Sequence, residues 1–325
     1  MMSARVLTTL FSALIAIIVV GALRPPANMT GLPPDQLWAK KVVWGPEYDI
    51  IAAGNSRTVC GISPNAMSQV LPGRRIANFG FTGAAYRPEY LRSVRRLVNP
   101  EAKQPAIFLG IHPASLAGAD GGTDGFVLAH DASRTSLWFQ LHLGSVAYFF
   151  RPYSISQVVS AITGKESGLY QTYYSDGWVA SRSVPDDPRH VLEEVSDAPG
   201  DPAKLMRPLE RLLTAVRQWT NDGIRVYGAR IPCNDEMLAK EDRMYGFDQR
   251  EFAARFRESG GVWLSFPKNR YRSYDGSHLR CDSAQLFSRD LANAIKTDGR
   301  QNRASLDQVT SASWSREPSL RRRTP

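Results

Sequence analysis

From Tyr48 onward the chain alternates short apolar runs with amphipathic stretches, a rhythm that restricts its fold to β-α units wound on a mostly parallel sheet. Tyr48–Ala53 reads as a buried first strand, Arg75–Phe79 as a second and Ala106–Ile111 as a third. Between them, Ser63-Pro64 has the N-cap and first-turn signature of a helix running to about Val70, and Glu89–Val98 places Leu91, Val94, Leu97 and Val98 on one helical face. Residues 113–203 break the rhythm with a Gly/Asp-rich loop, an aromatic stretch at Trp138–Tyr153 and a Pro/Asp-rich segment, and read as an insertion that caps one edge of the sheet. Alternation returns with a helix near Pro202–Thr220, strands at Ile224–Ala229 and Val262–Phe266, and helices at Gln249–Glu258 and Ser283–Lys296.

The N-terminus carries a different signal. Val6–Leu23 is uncharged and apolar, preceded by Arg5; at about 1.5 Å per residue such a run is roughly 27 Å long, the thickness of a bilayer core. It reads as a transmembrane anchor or as a signal segment cleaved after Val20-Gly21-Ala22. Either reading puts the body outside the cytoplasm. The expected organisation is an export segment over 1–30, an α/β domain over 31–299 with its insertion at about 113–203, and a disordered basic tail over 300–325.

Charge narrows the partners. The chain has 40 Lys and Arg against 31 Asp and Glu, but six of the arginines crowd into residues 300–325. The body is then only weakly basic, which excludes a nucleic-acid footprint. Cys60, Cys233 and Cys281 show no C-x-x-C spacing, are too few for a disulfide scaffold, and leave room for one bridge at most.

The usual signatures of zinc peptidases, P-loops, dinucleotide folds and G-x-S-x-G hydrolases are missing, and no metal or cofactor is implied. What remains is a serine directly after the first strand, in Gly54-Asn55-Ser56-Arg57, and a late Asp275-Gly276-Ser277-His278 between the last strand and the last helix. A parallel sheet gathers the C-terminal ends of its strands along one edge. Ser56 and His278 can therefore meet there, with Asp275 accepting from His278 Nδ1–H and Nε2 left to face the serine hydroxyl. A second D-x-x-H, Asp187-Pro188-Arg189-His190, has no strand leading into it and is expected to lie far from that pair. Arg57 is read either as a clamp for a substrate carboxylate or phosphate or as half of a structural salt bridge. Trp138, Phe139, Tyr148, Phe149 and Phe150 are read as core in preference to a sugar-stacking surface.

In these residues the chain resembles the SGNH (GDSL-like) hydrolase superfamily. The first block of that family, G-D-S-[LR], is matched by Gly54-Asn55-Ser56-Arg57; the second by Asn78-Phe79-Gly80-Phe81-Thr82-Gly83-Ala84; the last, D-x-x-H-L, by Asp275-Gly276-Ser277-His278-Leu279. The resemblance implies a flavodoxin-like three-layer α/β sandwich. It also implies Ser56, His278 and Asp275 as the catalytic residues, with the Ser56 and Gly83 N–H groups as oxyanion donors. The chain departs from the pattern at Asn55, where the family has Asp, and at Gly110-Ile111-His112-Pro113, where the family has G-x-N. His112 then stands either as the replacement oxyanion donor, through its ring N–H, or as a structural or substrate-facing residue. In layout the chain is similar to membrane-anchored proteins of envelope polysaccharide O-acylation, which implies an acylated glycan as substrate and a membrane-bound O-acyltransferase as partner. The rival implication is an SGNH-like body that binds glycan or the acyltransferase without turnover.

Overall fold

The computed structural model describes residues 4–22, 31–118, 123–149, 162–164, 168–195 and 198–314. Five strands, β1 (Ile50–Gly54), β2 (Ile76–Asn78), β3 (Ala106–Gly110), β6 (Arg225–Ala229) and β7 (Val262–Trp263), form one parallel sheet in the order β2-β1-β3-β6-β7. That is the strand order of flavodoxin-type doubly wound sheets. The register sets Gly54, Gly110 and Ala229 level with one another. Ser56, His112 and Arg230 therefore leave the sheet at the same edge.

Alternate residues of the buried strands point to opposite faces, and each face is covered by helices. Ile51, Ala53, Ile107 and Leu109 pack against α5 (Pro88–Arg96), α10 (Ala203–Asn221) and α12 (Gln249–Glu258), whose Val94, Leu212, Val216 and Phe256 are fully buried. Ile50, Ala52, Ala106 and Phe108 pack against α4 (Pro64–Ser68) and α13 (Cys281–Trp314) through Met67, Phe287 and Leu291. A buried Leu or Phe stabilises by roughly 1.5–3 kcal/mol. Helices on both faces of a parallel sheet make an α/β fold of three layers.

Several elements differ from the sequence expectation. The helix α2 (Pro34–Val43) precedes the sheet and α11 (Asp235–Tyr245) follows β6, neither of them expected. The segment 113–203 carries elements of its own. It holds α6 (Pro113–Ala117), α7 (Gly125–His130), α8 (Arg134–Phe149), an antiparallel hairpin of β4 (Gly168–Tyr173) and β5 (Val179–Val184), and the short α9 (His190–Glu194). Trp138 and Phe139 are exposed on α8 at 56% and 47%, so the core reading of these two rings is wrong. The last helix also runs past Lys296 to Trp314, into the tail expected to be disordered. The end of the aromatic stretch, 150–153, and the tail arginines 316 and 321–323 lie outside the described residues.

The apolar N-terminal run forms α1 (Ala4–Ala22). Among the described residues no helix is long and apolar enough to cross a membrane.

Candidate active site

The nucleophile position is built by a strand end and a cap. Gly54 ends β1, and Asn55 caps α3 (Ser56–Gly61) by accepting from Arg57 N at 3.1 Å, so that Ser56 becomes the first helical residue. Asn caps as well as Asp. Under the turn, the buried Thr58 hydroxyl sits where a side chain on Gly54 or Gly110 would begin, 2.2 Å from an ideal Cβ on either. Glycine at both strand ends lets α3 settle onto the sheet edge. Asn78 fixes the other end of the helix: its amide donates to Thr58 O, Val59 O and Ile62 O at 2.7, 3.2 and 2.7 Å.

His278 Nε2 lies 2.8 Å from Ser56 Oγ, and His278 Nδ1 lies 2.7 Å from Asp275 Oδ2. Asp275 Oδ1 accepts from Ser277 N and His278 N at 2.9 and 2.7 Å. Burial would push the Asp275 carboxyl up, but the hydrogen bond and charge of His278 and the two backbone donors hold it below its ordinary value. An ionised Asp275 fixes the proton on Nδ1, so Nε2 accepts the serine hydroxyl. The Tyr274 ring stacks on the imidazole, with centroids 5.9 Å apart and planes at 18°.

The Asp275–His278 turn is seated on the second D-x-x-H instead of standing apart from it. Asp187 N donates to Tyr274 O and Val191 N to Asp275 O, at 2.8 and 3.1 Å. Gly276 has φ +89°, and a Cβ there would come 2.3 Å from Pro188 O. The segment 187–191, expected to lie apart from the turn, supports it through its backbone. The His190 side chain is exposed, and Ser56 is held by His278.

His112 and Arg57 take roles other than those expected for contact with substrate. His112 caps α6 by accepting from Ala114 N at Nδ1, 3.1 Å, which leaves the proton on Nε2, and Nε2 donates to Glu241 Oε1 at 3.0 Å. Both ring nitrogens are engaged, so the imidazole has no N–H left for an oxyanion. Burial and the neighbouring Arg57 push its pKa down to about 4 against the pull of Glu241, and the ring is neutral at pH 7. Arg57 is 4% exposed and forks onto Glu241 at 2.5 and 3.1 Å. It also donates from Nε and Nη2 to Ser277 Oγ at 3.1 and 3.0 Å. The guanidinium next to Ser56 is thus bonded to the residue next to His278. Arg230 completes the cluster, reaching Glu241 at 2.8 Å and also pairing with Asp242. Burial alone would raise the Glu241 carboxyl; Arg57, His112 and Arg230 reverse that and hold it well below the carboxylate range.

Glu241 and Arg230 were missed in the sequence. Asn234, which caps α11, and Gly246, in the left-handed conformation at its end, were the available signs of the helix that carries Glu241.

Gly83 lies in an exposed loop with φ +68°. Asp124 steadies that loop, accepting from Ala85 N at 3.2 Å and Arg87 Nε at 3.0 Å, while Gly125 N donates to Thr82 O at 2.9 Å. Below it, the wholly buried Lys41 donates to Gly80 O at 2.7 Å and lies 5.0 and 5.3 Å from the ring centres of Trp38 and Phe81. Burial pushes its pKa down to about 7, against the pull of Asp176.

The three cysteines are free, Cys60 being buried with its thiol pushed up to about 11. Among the described residues no group of three or more His, Cys, Asp and Glu side chains is placed to hold a metal ion. No family model matches the chain, and no curated protein or solved structure does. The chemistry this arrangement can perform is nucleophilic attack by a serine hydroxyl whose proton passes to an oriented imidazole.

Proposed function

We propose that this chain is an SGNH-like serine esterase or O-acyltransferase that removes or transfers a small acyl group, acetyl by preference, on a cell-envelope glycan. The continuous chain Ser56 Oγ–His278–Asp275 at 2.8 and 2.7 Å carries the reading. In the first half-reaction Ser56 Oγ bonds to the ester carbonyl carbon and its proton moves to His278 Nε2. The Ser56 and Gly83 backbone N–H groups receive the oxyanion. Collapse breaks the carbon–oxygen bond to the sugar, and His278 returns the proton to the departing hydroxyl. Water, or a second hydroxyl, then takes the acyl group by the same steps in reverse. The apolar α1 tethers or exports the body to the non-cytoplasmic face, where a membrane-bound O-acyltransferase is the fitting acyl donor.

The engagement of His112 by Glu241 favours a second reading, a glycan-binding or acyltransferase-partner protein without turnover, because the third oxyanion donor is then missing. Full-length protein is to be treated with a fluorophosphonate probe and assayed on p-nitrophenyl acetate. Labelling at Ser56 with turnover that disappears in Ser56→Ala supports the enzyme; turnover that survives Ser56→Ala defeats it. Absence of both labelling and turnover supports the non-catalytic partner.

A further inference from the structure

A cleft of about 250 Å³ opens beside the loop that carries Gly83, between α2, α7 and α8. Its apolar walls include Trp38, Leu128 and Ala132, and Asp35, Thr82 and Gln140 contribute its polar groups. Trp38 is fixed from behind, with Phe81 at 5.6 Å and Tyr173 edge-on at 6.2 Å. Gln36 ties α2 to α8 by donating to Leu141 O at 2.8 Å and accepting from Ser145 Oγ at 3.3 Å. The walls are therefore rigid helices. The cleft meets the loop that leads from the sheet edge to Gly83: Phe81 N bonds to Gly54 O at 3.0 Å, and Thr82, which lines the cleft, lies between Phe81 and Gly83.

Pockets for drug-sized ligands run roughly 300–1,000 Å³, so this one takes a single ring-sized group and not an extended chain. One immobile indole face, a carboxylate, an amide and a hydroxyl together suit a pyranose, which presents apolar C–H bonds on its face and hydroxyls around its rim. Resting on the esterase reading above, we infer that the cleft is the subsite for the sugar ring bearing the acyl group. Trp38 forms its platform, and Asp35 and Gln140 bind its hydroxyls. Thr82 belongs both to the cleft and to the loop that carries Gly83, which puts the ring beside Gly83.

The test compares three substrates, 6-O-acetylglucose, p-nitrophenyl acetate and p-nitrophenyl octanoate, on full-length protein, with Asp35→Asn, Gln140→Ala and Leu128→Trp as variants. Asp35 and Leu128 are exposed, and their variants keep the test valid if Trp38→Ala fails to fold. Loss of a charged hydrogen bond or filling of the cleft should lower kcat/KM for the sugar ester relative to p-nitrophenyl acetate by about tenfold or more, through KM. An unchanged ratio in all three variants overturns the subsite while leaving the triad standing. A loss confined to p-nitrophenyl octanoate assigns the cleft to the acyl chain and overturns it as well. Calorimetric binding of 6-O-acetylglucose to Ser56→Ala protein separates the two proposals: binding that Asp35→Asn weakens supports the subsite even if the parent shows no turnover, and absence of binding counts against it.

Discussion

Two histidines leave the same edge of one sheet, each bonded to a carboxylate, and they end in opposite states. His278 gives Nδ1 to Asp275 and keeps Nε2 for Ser56; His112 gives Nε2 to Glu241 and spends Nδ1 on the backbone of α6. The carboxylates differ too. Asp275 is held mainly by its own turn, whereas Glu241 is shared by two arginines and a histidine in a buried cluster. A histidine–carboxylate pair is reactive when its second nitrogen is left open, and a fastener when that nitrogen is already taken.

The largest effects should fall on the open pair. Ser56→Ala and His278→Ala are expected to lower esterase turnover by about 10⁴-fold or more, and Asp275→Asn by roughly 10⁴-fold because the imidazole loses its orienting acceptor. Steady-state kinetics on p-nitrophenyl acetate decides this; equal losses at His112 and His278 would erase the distinction. Next in size, Glu241→Ala leaves Arg57 and Arg230 buried without their shared partner and should cost about 3–5 kcal/mol of stability, read from the denaturation midpoint.

A smaller effect separates the fastener by pH. With His112 held near pKa 4 when folded and at its ordinary 6.5 when unfolded, the unfolded chain takes up the extra proton between those values. Stability should fall as pH drops from about 6.5 to 4, and His112→Asn should flatten that slope by at most ~1.4 kcal/mol per pH unit. His112→Ala is expected to keep turnover within about tenfold of the parent, against the 10²–10³ that a lost oxyanion donor costs. The smallest effect belongs to exposed His190: His190→Ala should stay within about 0.5 kcal/mol in stability and should leave turnover on p-nitrophenyl acetate close to the parent's.

The sheet and the triad were legible because their signals are local. Apolar runs mark β1, β2, β3 and β6, and parallel pairing then brings Ser56 and the Asp275–His278 turn together whatever lies between them. Roles that depend on an unread element were not legible. Ala239-Lys240-Glu241-Asp242-Arg243 looks like a solvated polar run, and only the docking of α11 against the sheet edge makes Glu241 a buried hub that captures Arg57 and His112. Trp138 and Phe139 fail in the other direction: hydrophobic in sequence, they are exposed on α8.

The six-residue α3 is too short to form unaided, since isolated helices below about 12 residues are marginal in water. One amide, Asn78 Nδ2, gathers two of its carbonyls and that of its C-cap Ile62, and Trp178 Nε1 of the distant hairpin holds a further one, Cys60 O, at 2.9 Å. The helix that opens with Ser56 is thus held by β2 and by the β4–β5 hairpin together. Reactivity at Ser56 should appear late in refolding and vanish early in unfolding, and a fragment lacking the hairpin should carry the serine without its chemistry.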